Sequence, residues 1–353
     1  MSRARDFADL ASSADAGGIT GRNLIINGAM QVAQRGTSFT GFGAAVNYGI
    51  DRFANYHNSD GAFTISQETS VVPDDFTHAL KIQTTTADSS IAAGQRLIVF
   101  TRCEGNTVSH LNWGTSAAKT VTLSFYVRSS ITGTHGGAFG NGADNRNYPF
   151  TYTINSADTW ERKTITVAGD TSGTWATDTG RSLQVVWGLG VGSTYSGTAG
   201  AWASGDINSA TGATTGVLGT LNATWYLTGV QLEVGEKATA FEHRSFGDEL
   251  RRCQRYFELI GYAIGRAVSA TQVEVNSAFK VDKRSAPTIA LKDTATAVAE
   301  FLRTGSNINS LDSTYVSLTT HCGNRLTSSD TGMNSGSLAG IIKEDAMTAD
   351  AEL

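Results

Sequence analysis

Charge is scarce in this sequence: Asp, Glu, Lys and Arg make up 17% of its 353 residues, against roughly 25% in an ordinary soluble domain. Runs of Lys or Arg are absent and the formal net charge is -5. No basic stripe is available to neutralise phosphates, so nucleic acid is not expected as a partner. Proline occurs only 3 times, which excludes collagen-like and Pro-rich fibres. The 3 cysteines, Cys103, Cys253 and Cys322, are an odd number with no Cys-x-x-Cys spacing. That rules out a complete disulfide framework and points to free, buried thiols. No run of about 18 apolar residues appears, and Met1 to Leu10 is charged without an apolar core. Membrane insertion is therefore not expected, and folding in a reducing cytoplasm is.

What the sequence does contain is Thr, Ser, Asn and 39 glycines, with 40% hydrophobic residues to build cores. Branching at Cβ suits Thr to pleated strands, and Gly supplies tight turns. At about 100–200 residues per domain, the length predicts two folded units plus short ends.

Hydrophobic alternation supports an all-β reading. Val121, Leu123, Phe125 and Val127 alternate with Thr122, Ser124, Tyr126 and Arg128, the period of a strand with one buried face. Ile165 with Val167, and Leu183, Val185, Trp187 and Leu189, repeat that signal. Trp225 and Leu227 are out of phase with Val230, Leu232 and Val234, which predicts a β-bulge at Gly229. Trp187 and Trp225 fall on apolar faces and are assigned to the core. Many short strands without long helical patterns predict a two-sheet sandwich. A capping box at Ser245 and Asp248, followed by Leu250, Cys253 and Phe257, predicts a connecting helix over 246–258. A second, smaller β domain follows over 259–353. Its expected strands lie near Tyr262–Ala267, Gln272–Val281, Thr288–Leu291, Thr296–Arg303, Tyr315–Leu318, Ala339–Ile342 and Ala349–Leu353.

Residues 1–22 stand apart. Phe7 and Leu10, with Ala4 and Ala11, share one side of a short helix that needs a partner surface to persist, a frayed terminus being the alternative. Ala16-Gly17-Gly18 reads as a hinge.

Patterns for catalysis are missing. There is no Gly-x-Ser-x-Gly elbow and no His-Glu-x-x-His. Two carboxyls flanking a glycosidic bond must stand about 5–9.5 Å apart. Asp74 and Asp75 would diverge in an extended chain, and Glu233, weighed with Glu236 or Glu242, alternates with Leu232 and Val234 as a solvated or hydrogen-bonded residue. The 6 histidines lack metal-ligand spacing, a structural Ca²⁺ held by loop oxygens stays open without named ligands, and no cofactor is expected. Gly188 to Gly192 and Gly133 to Gly142 match no nucleotide-binding pattern and are expected to be loops. The remaining functional candidates are aromatics. Trp175, Tyr195 and Trp202 lie in segments rich in Gly, Ser and Thr, where rings can stack on sugar C–H faces or else pack loops together. His135, Asn141, Asp144, Asn145 and Tyr148 are placed in another such loop.

Several of these stretches carry a resemblance. Asn23 to Gln31, then Gln34-Arg35-Gly36 and Asp51-Arg52-Phe53, resemble the opening of many bacteriophage tail-fibre and minor tail proteins. Val121 to Arg128 resembles a central strand of that family. Thr228-Gly229-Val230-Gln231-Leu232-Glu233-Val234-Gly235, continuing through Ala240 to Arg244 and Cys253 to Phe257, resembles the end of a jelly-roll module related to carbohydrate-binding modules. Phe279-Lys280-Val281, Arg284 to Thr288 and Ala349 to Leu353 resemble the C-terminal domain of such fibres, and Arg5 to Leu10 is similar to segments that dock fibres to a tail. The resemblance implies a virion component made in the host cytoplasm, usually a homotrimer. It docks through residues 1–22, with Arg5, Phe7 and Leu10, to the tail or a preceding fibre protein. The jelly-roll β-sandwich of 23–245 forms the body, and the tip of 259–353, distal to the docking end, is the favoured place for contact with a host glycan or protein receptor, the jelly roll's resemblance to sugar-binding modules giving the alternative. A capsule- or wall-degrading tail enzyme and a free carbohydrate-binding module are the alternatives.

Overall fold

The computed structural model describes residues 21–261, 263–269, 272–291, 301–303, 306–308, 322–327, 338–341 and 347–353. Arg5, Phe7 and Leu10 of the expected docking segment, and the strand expected over Tyr315–Leu318, lie outside the described residues. The chain divides into two compact units, Met1–Phe246 with Leu353, and Gly247–Glu352.

The strands of the first unit are β1 (Ser38–Phe39), β2 (Asn47–Tyr48), β3 (Phe53–His57), β4 (Ala62–Glu68), β5 (Ala79–Thr86), β6 (Arg96–Glu104), β7 (Val121–Ser129), β8 (Gly133–Asn141), β9 (Arg146–Ile154), β10 (Glu161–Val167), β11 (Arg181–Val191), β12 (Ser196–Gly197), β13 (Ala203–Ser204), β14 (Ser209–Ala210) and β15 (Thr224–Val234). They build a six-stranded sheet, β1-β4-β5-β15-β7-β10, a seven-stranded sheet, β13-β9-β8-β11-β6-β3-β2, and a parallel ribbon, β12-β14. Both large sheets are antiparallel and share one core, a jelly-roll β-sandwich.

Alternation is what places that core. Val121, Leu123, Phe125 and Val127 of β7 are wholly buried, and Leu183, Val185, Trp187 and Leu189 of β11 close the core from the other sheet. The pairing of β15 with β7 slips between Thr228 and Gln231, with Gly229 at φ 60°, so the bulge falls where the phase change predicts it. A Cβ there would stand 2.6 Å from Phe76 Cζ, so no larger residue fits. Trp187 and Trp225 are fully buried in the core. Cys103 and Cys253 are buried free thiols, and burial pushes the Cys103 thiol up to about 12.

Two Gly-rich stretches differ from expectation. Gly133–Asn141 is strand β8, between β9 and β11, and Gly188 to Val191 continues β11. His135 and Asn141 therefore sit in β8, and Tyr148 in β9, rather than in a loop. Here glycine makes room for a neighbour instead of a turn. A Cβ on Gly136 would meet Ser209 Oγ at 2.2 Å, and one on Gly188 would meet Ser209 Cβ at 2.9 Å. The β12-β14 ribbon thus lies directly on the sheet.

The Gln231-Leu232-Glu233 stretch forms a clasp around residues 21–25. Asn23 Oδ1 accepts from Ile25 N (2.9 Å) and Leu232 N (3.1 Å), and its Nδ2 donates to Val230 O (3.1 Å). Glu242 accepts from Asn23 N (2.8 Å) and Gln231 accepts from Glu242 N (2.8 Å). Arg244 donates to Ile25 O (3.0 Å) and to Asn23 O. Glu233 takes Gln231 Nε2 (3.0 Å) and Thr239 Oγ1 (2.7 Å).

The helix α1 (Phe246–Gln254) carries Asp248 and Glu249 in its first turn and Arg251 and Arg252 in its last, the arrangement a helix dipole favours. It ends before 258 because Phe257 opens a strand. The second unit contains β16 (Phe257–Ile260), β17 (Ala263–Ser269), β18 (Gln272–Ala278), β19 (Thr288–Leu291), β20 (Phe301–Arg303), β21 (Ser306–Ile308), β22 (Cys322–Thr327), β23 (Leu338–Ile341) and β24 (Met347–Asp350). These form antiparallel sheets ordered β16-β24-β19 and β21-β20-β23-β17-β18-β22. Strand β18 stops at Ala278, and Lys280 N turns to the Glu258 carboxylate (3.0 Å). Strand β24 stops at Asp350, after which Arg284 Nε donates to Ala351 O (2.8 Å). Lys283 Nζ is completely buried, donating to Glu258, to Gln254 O (2.6 Å) and to Val281 O (3.1 Å).

Candidate functional site

The three loop aromatics separate into two clusters. Trp175 and Trp202 meet edge to face at 5.6 Å, and both stand edge-on to Trp113, at 4.8 and 5.3 Å. Their indole N–H groups donate to Ser172 O and Ala168 O, and Trp113 Nε1 donates to Lys119 O. Trp113 is buried in the core and Trp175 and Trp202 are half-buried against it, so this mutually packed, hydrogen-bonded knot fastens loops to the core. Tyr195 belongs elsewhere. It ends a short 3₁₀ turn, Ser193–Tyr195, and its ring centroid lies 3.9 Å from the Arg96 guanidinium.

Arg96 leads to the outer face of the seven-stranded sheet. Strand β6 is apolar on both sides: Leu97 and Val99 enter the core, whereas Ile98 and Phe100 face outward with Ala54 of β3 and Val186 of β11. Tyr48, Tyr56 and Val191 border that outer cluster and stay half-exposed. Guanidiniums lie on the rings, Arg96 at 4.9 Å from Tyr56, Arg102 at 4.4 Å from Phe100 and Arg35 at 5.2 Å from Tyr48. Loop acids position two arginines, through Arg96 with Asp206 at 2.6 Å and Arg181 with Asp144 at 2.5 Å. Gln184 Nε2 donates to Asp144 Oδ1 at 2.7 Å.

Three buried atoms near this face have no hydrogen-bond partner: Arg96 Nε, Arg102 Nε and Asn147 Oδ1. Buried polar groups are normally satisfied, and leaving one unpaired costs about 1–3 kcal/mol. Leu353, which belongs to this unit, offers its main-chain oxygen to Tyr48 Oη (2.7 Å) and to Arg102. Burial pulls the Arg102 guanidinium down from its ordinary value. Tyr48 and Asp144 work against that shift and Arg181 adds to it.

Half-exposed phenol rings and guanidinium donors gathered on one sheet face match what a pyranose requires, partners for an apolar C–H face and for a rim of hydroxyls. Of the three candidate glycan-contact aromatics only Tyr195 lies in this cluster, and of the second group Asp144 reaches it through Arg181 and Gln184. Tyr48, Tyr56, Arg96, Arg102 and Gln184 were missed because strand positions opposite a core phase read as solvated. The available signal was the unbroken apolar run Leu97-Ile98-Val99-Phe100, which marks a strand covered on both faces.

Of the carboxylates considered for hydrolysis, Glu233 and Glu242 are engaged elsewhere and the others are exposed. Asp74 and Asp75 sit in an exposed turn, Glu236 is exposed, and Glu233 and Glu242 belong to the clasp, the latter 3.5 Å from Arg244. Among the described residues no group of His, Cys, Asp and Glu could hold a metal ion. None of the described helices is long and apolar enough to cross a membrane.

No protein-family model matches the chain, and no curated protein does. Solved structures that it resembles include the enzymatically active domain of a tailspike protein from bacteriophage CBA120, at 9% identity over 60% of this chain and a TM-score of 0.32. An arabinose-bound α-L-arabinofuranosidase is similar at 14% identity over 64% of the chain, with a TM-score of 0.34. The chain spans 21% and 28% of the lengths of these two proteins. A family 11 carbohydrate-binding module from Clostridium thermocellum, in complex with a mixed-linked tetrasaccharide, is similar at 8% identity, with 59% of this chain and 98% of the module covered and a TM-score of 0.28.

Proposed function

We propose that this chain is a structural protein of a bacteriophage tail whose jelly-roll unit binds a host surface glycan on the outer face of its seven-stranded sheet. The observation that carries the binding reading is the cluster of Tyr48, Tyr56 and Tyr195 rings interleaved with Arg96, Arg102 and Gln184. Except for Tyr195, these groups sit on sheet strands, which hold them more rigidly than loops would and lower the ordering cost of binding. The tail assignment rests on the sequence resemblance, whose strongest stretch folds into the clasp around residues 21–25. Binding without turnover is part of this reading, and the commitment of Glu233 and Glu242 to the clasp supports it. Assembly as a homotrimer would multiply a weak single site into useful avidity.

Affinity electrophoresis of the full chain in gels containing isolated host polysaccharide tests the binding reading. Wild-type protein is expected to be retarded, and Tyr56→Ala to migrate as in an empty gel. Equal retardation of both proteins, or none of either, rules the face out.

A further inference from the structure

We propose that His135 is an acid-released latch: its protonation frees the start of β8 and, with it, the β12-β14 ribbon that lies on the seven-stranded sheet. His135 stands opposite Tyr152 of β9 and has no exposed surface. Its ring stacks on that phenol at 5.4 Å, and Tyr152 Oη accepts from Trp225 Nε1 of the facing sheet (3.2 Å). His135 Nε2 donates to Ile131 O in the β7–β8 turn (3.0 Å). A carbonyl only accepts, so Nε2 carries the proton of the neutral ring. Nδ1 is left as a bare acceptor, sealed from water and unpartnered.

A second proton has to enter at Nδ1, where no acceptor meets it, and an unpaired buried charge is costly. The charged group acting on the ring is Lys163 of β10, of the same sign, itself paired with Glu161 at 2.6 Å. Burial pushes the Tyr152 phenol upward, so it stays neutral. Phe125 of β7, Trp225 of β15, Trp187 of β11 and the stretches 130–132 and 209–214 offer no ionisable side chain. Burial, helped by Lys163 and opposed by the bond to Ile131, holds the folded imidazole below its ordinary 6.5. An opened strand end takes the proton at 6.5 and the closed one only further down. Each pH unit below 6.5 therefore favours opening by about tenfold until the closed ring itself titrates. Neighbouring bonds set what the opening releases. Thr134 O accepts from Thr214 N (2.7 Å), and Gly136 lies against Ser209. Asn208, at the entrance to β14, accepts from Arg96 beside Asp206, and its N donates to Tyr195 O (2.8 Å). A loosened ribbon thus slackens Arg96 and Tyr195 on the outer face.

Hydrogen exchange of the full chain at pH 7.5 and 5.0, each rate divided by its intrinsic value at that pH, reads the opening. Both values lie above the range in which Glu161 and Asp170 lose their charge. In wild type, protection over 133–139 and 196–214 should fall by up to about thirtyfold between them, while 121–127 of β7 hold. His135→Gln keeps a donor toward Ile131 O and cannot take the proton, so its protection should match at the two pH values. His135→Phe keeps the ring on Tyr152 and makes the same comparison if the Gln variant does not fold. No fall in wild type, an equal fall in the variants, or a fall spread evenly over both large sheets overturns the latch. A fall confined to 133–139 overturns the release of the ribbon.

Discussion

Asn23 concentrates three contacts in one amide, two of them long-range. Its side chain satisfies Ile25 N, Leu232 N and Val230 O, all inside the protein. Asn23→Ala leaves these groups unpaired and should cost about 2–3 kcal/mol, read as a lower urea midpoint at unchanged slope. Glu161 is a second such residue. Burial pushes its carboxyl upward, but hydrogen bonds from Lys163 Nζ, Ser156 N and the backbone and side chain of Asn155 outweigh this and hold it at about 2. Asp170 is lowered as well, burial again opposing, chiefly by the Arg146 guanidinium at 2.6 Å. A carboxylate whose folded pKa lies below its unfolded one stabilises the fold above the unfolded value. That stabilisation, complete above the ordinary 4.5 of Glu161, is lost as pH falls toward about 2. Thermal midpoints should drop across this window, and Glu161→Gln should flatten the drop. An unchanged profile in the variant would remove Glu161 from the account.

Individual elements differ in how plainly the sequence announces them. Strands β7 and β15 were legible because one face is core and the other is polar, so period two survives, and even the bulge at Gly229 left its mark in the phase. Strand β8 was not legible. Its outward positions, Gly136, Ala138 and Gly140, are small because Ser209, Ala213, Asn147 and Gln184 crowd them, and a distant neighbour leaves no local signal. The candidate face was hidden for a related reason. Rings and guanidiniums spread over β2, β3 and β6 converge only after the sheet is assembled, so Tyr195 alone, in a loop, stood out. Gly136→Val should dislodge the β12-β14 ribbon, because Ser209 Oγ occupies the space its side chain needs. Hydrogen exchange should then accelerate over 196–213 while the core of β7 and β15 stays protected. Equal protection across the ribbon would show that the sheet yields instead.

For the whole molecule, the clasp sets where a load on residues 21–25 would enter the body. Residues 21–25 bond β15, which lies between β5 and β7 inside the six-stranded sheet, so force applied through the preceding segment reaches the centre of the sandwich rather than an edge. Deleting residues 1–22 removes Arg22 and the Gly21–Glu242 bond but leaves Asn23 in place. The truncated protein should melt within a few degrees of wild type and bind polysaccharide unchanged, yet be missing from purified particles. Normal incorporation would refute docking through this segment.

The second unit carries its own reporter. Lys283 Nζ is enclosed with Glu258 and two carbonyl oxygens, and burial lowers its pKa although Glu258 opposes the shift. An amine-reactive reagent can acylate it only when the unit breathes. The rate at which this one lysine is labelled, set against the exposed Lys280, therefore clocks local opening without any probe being introduced.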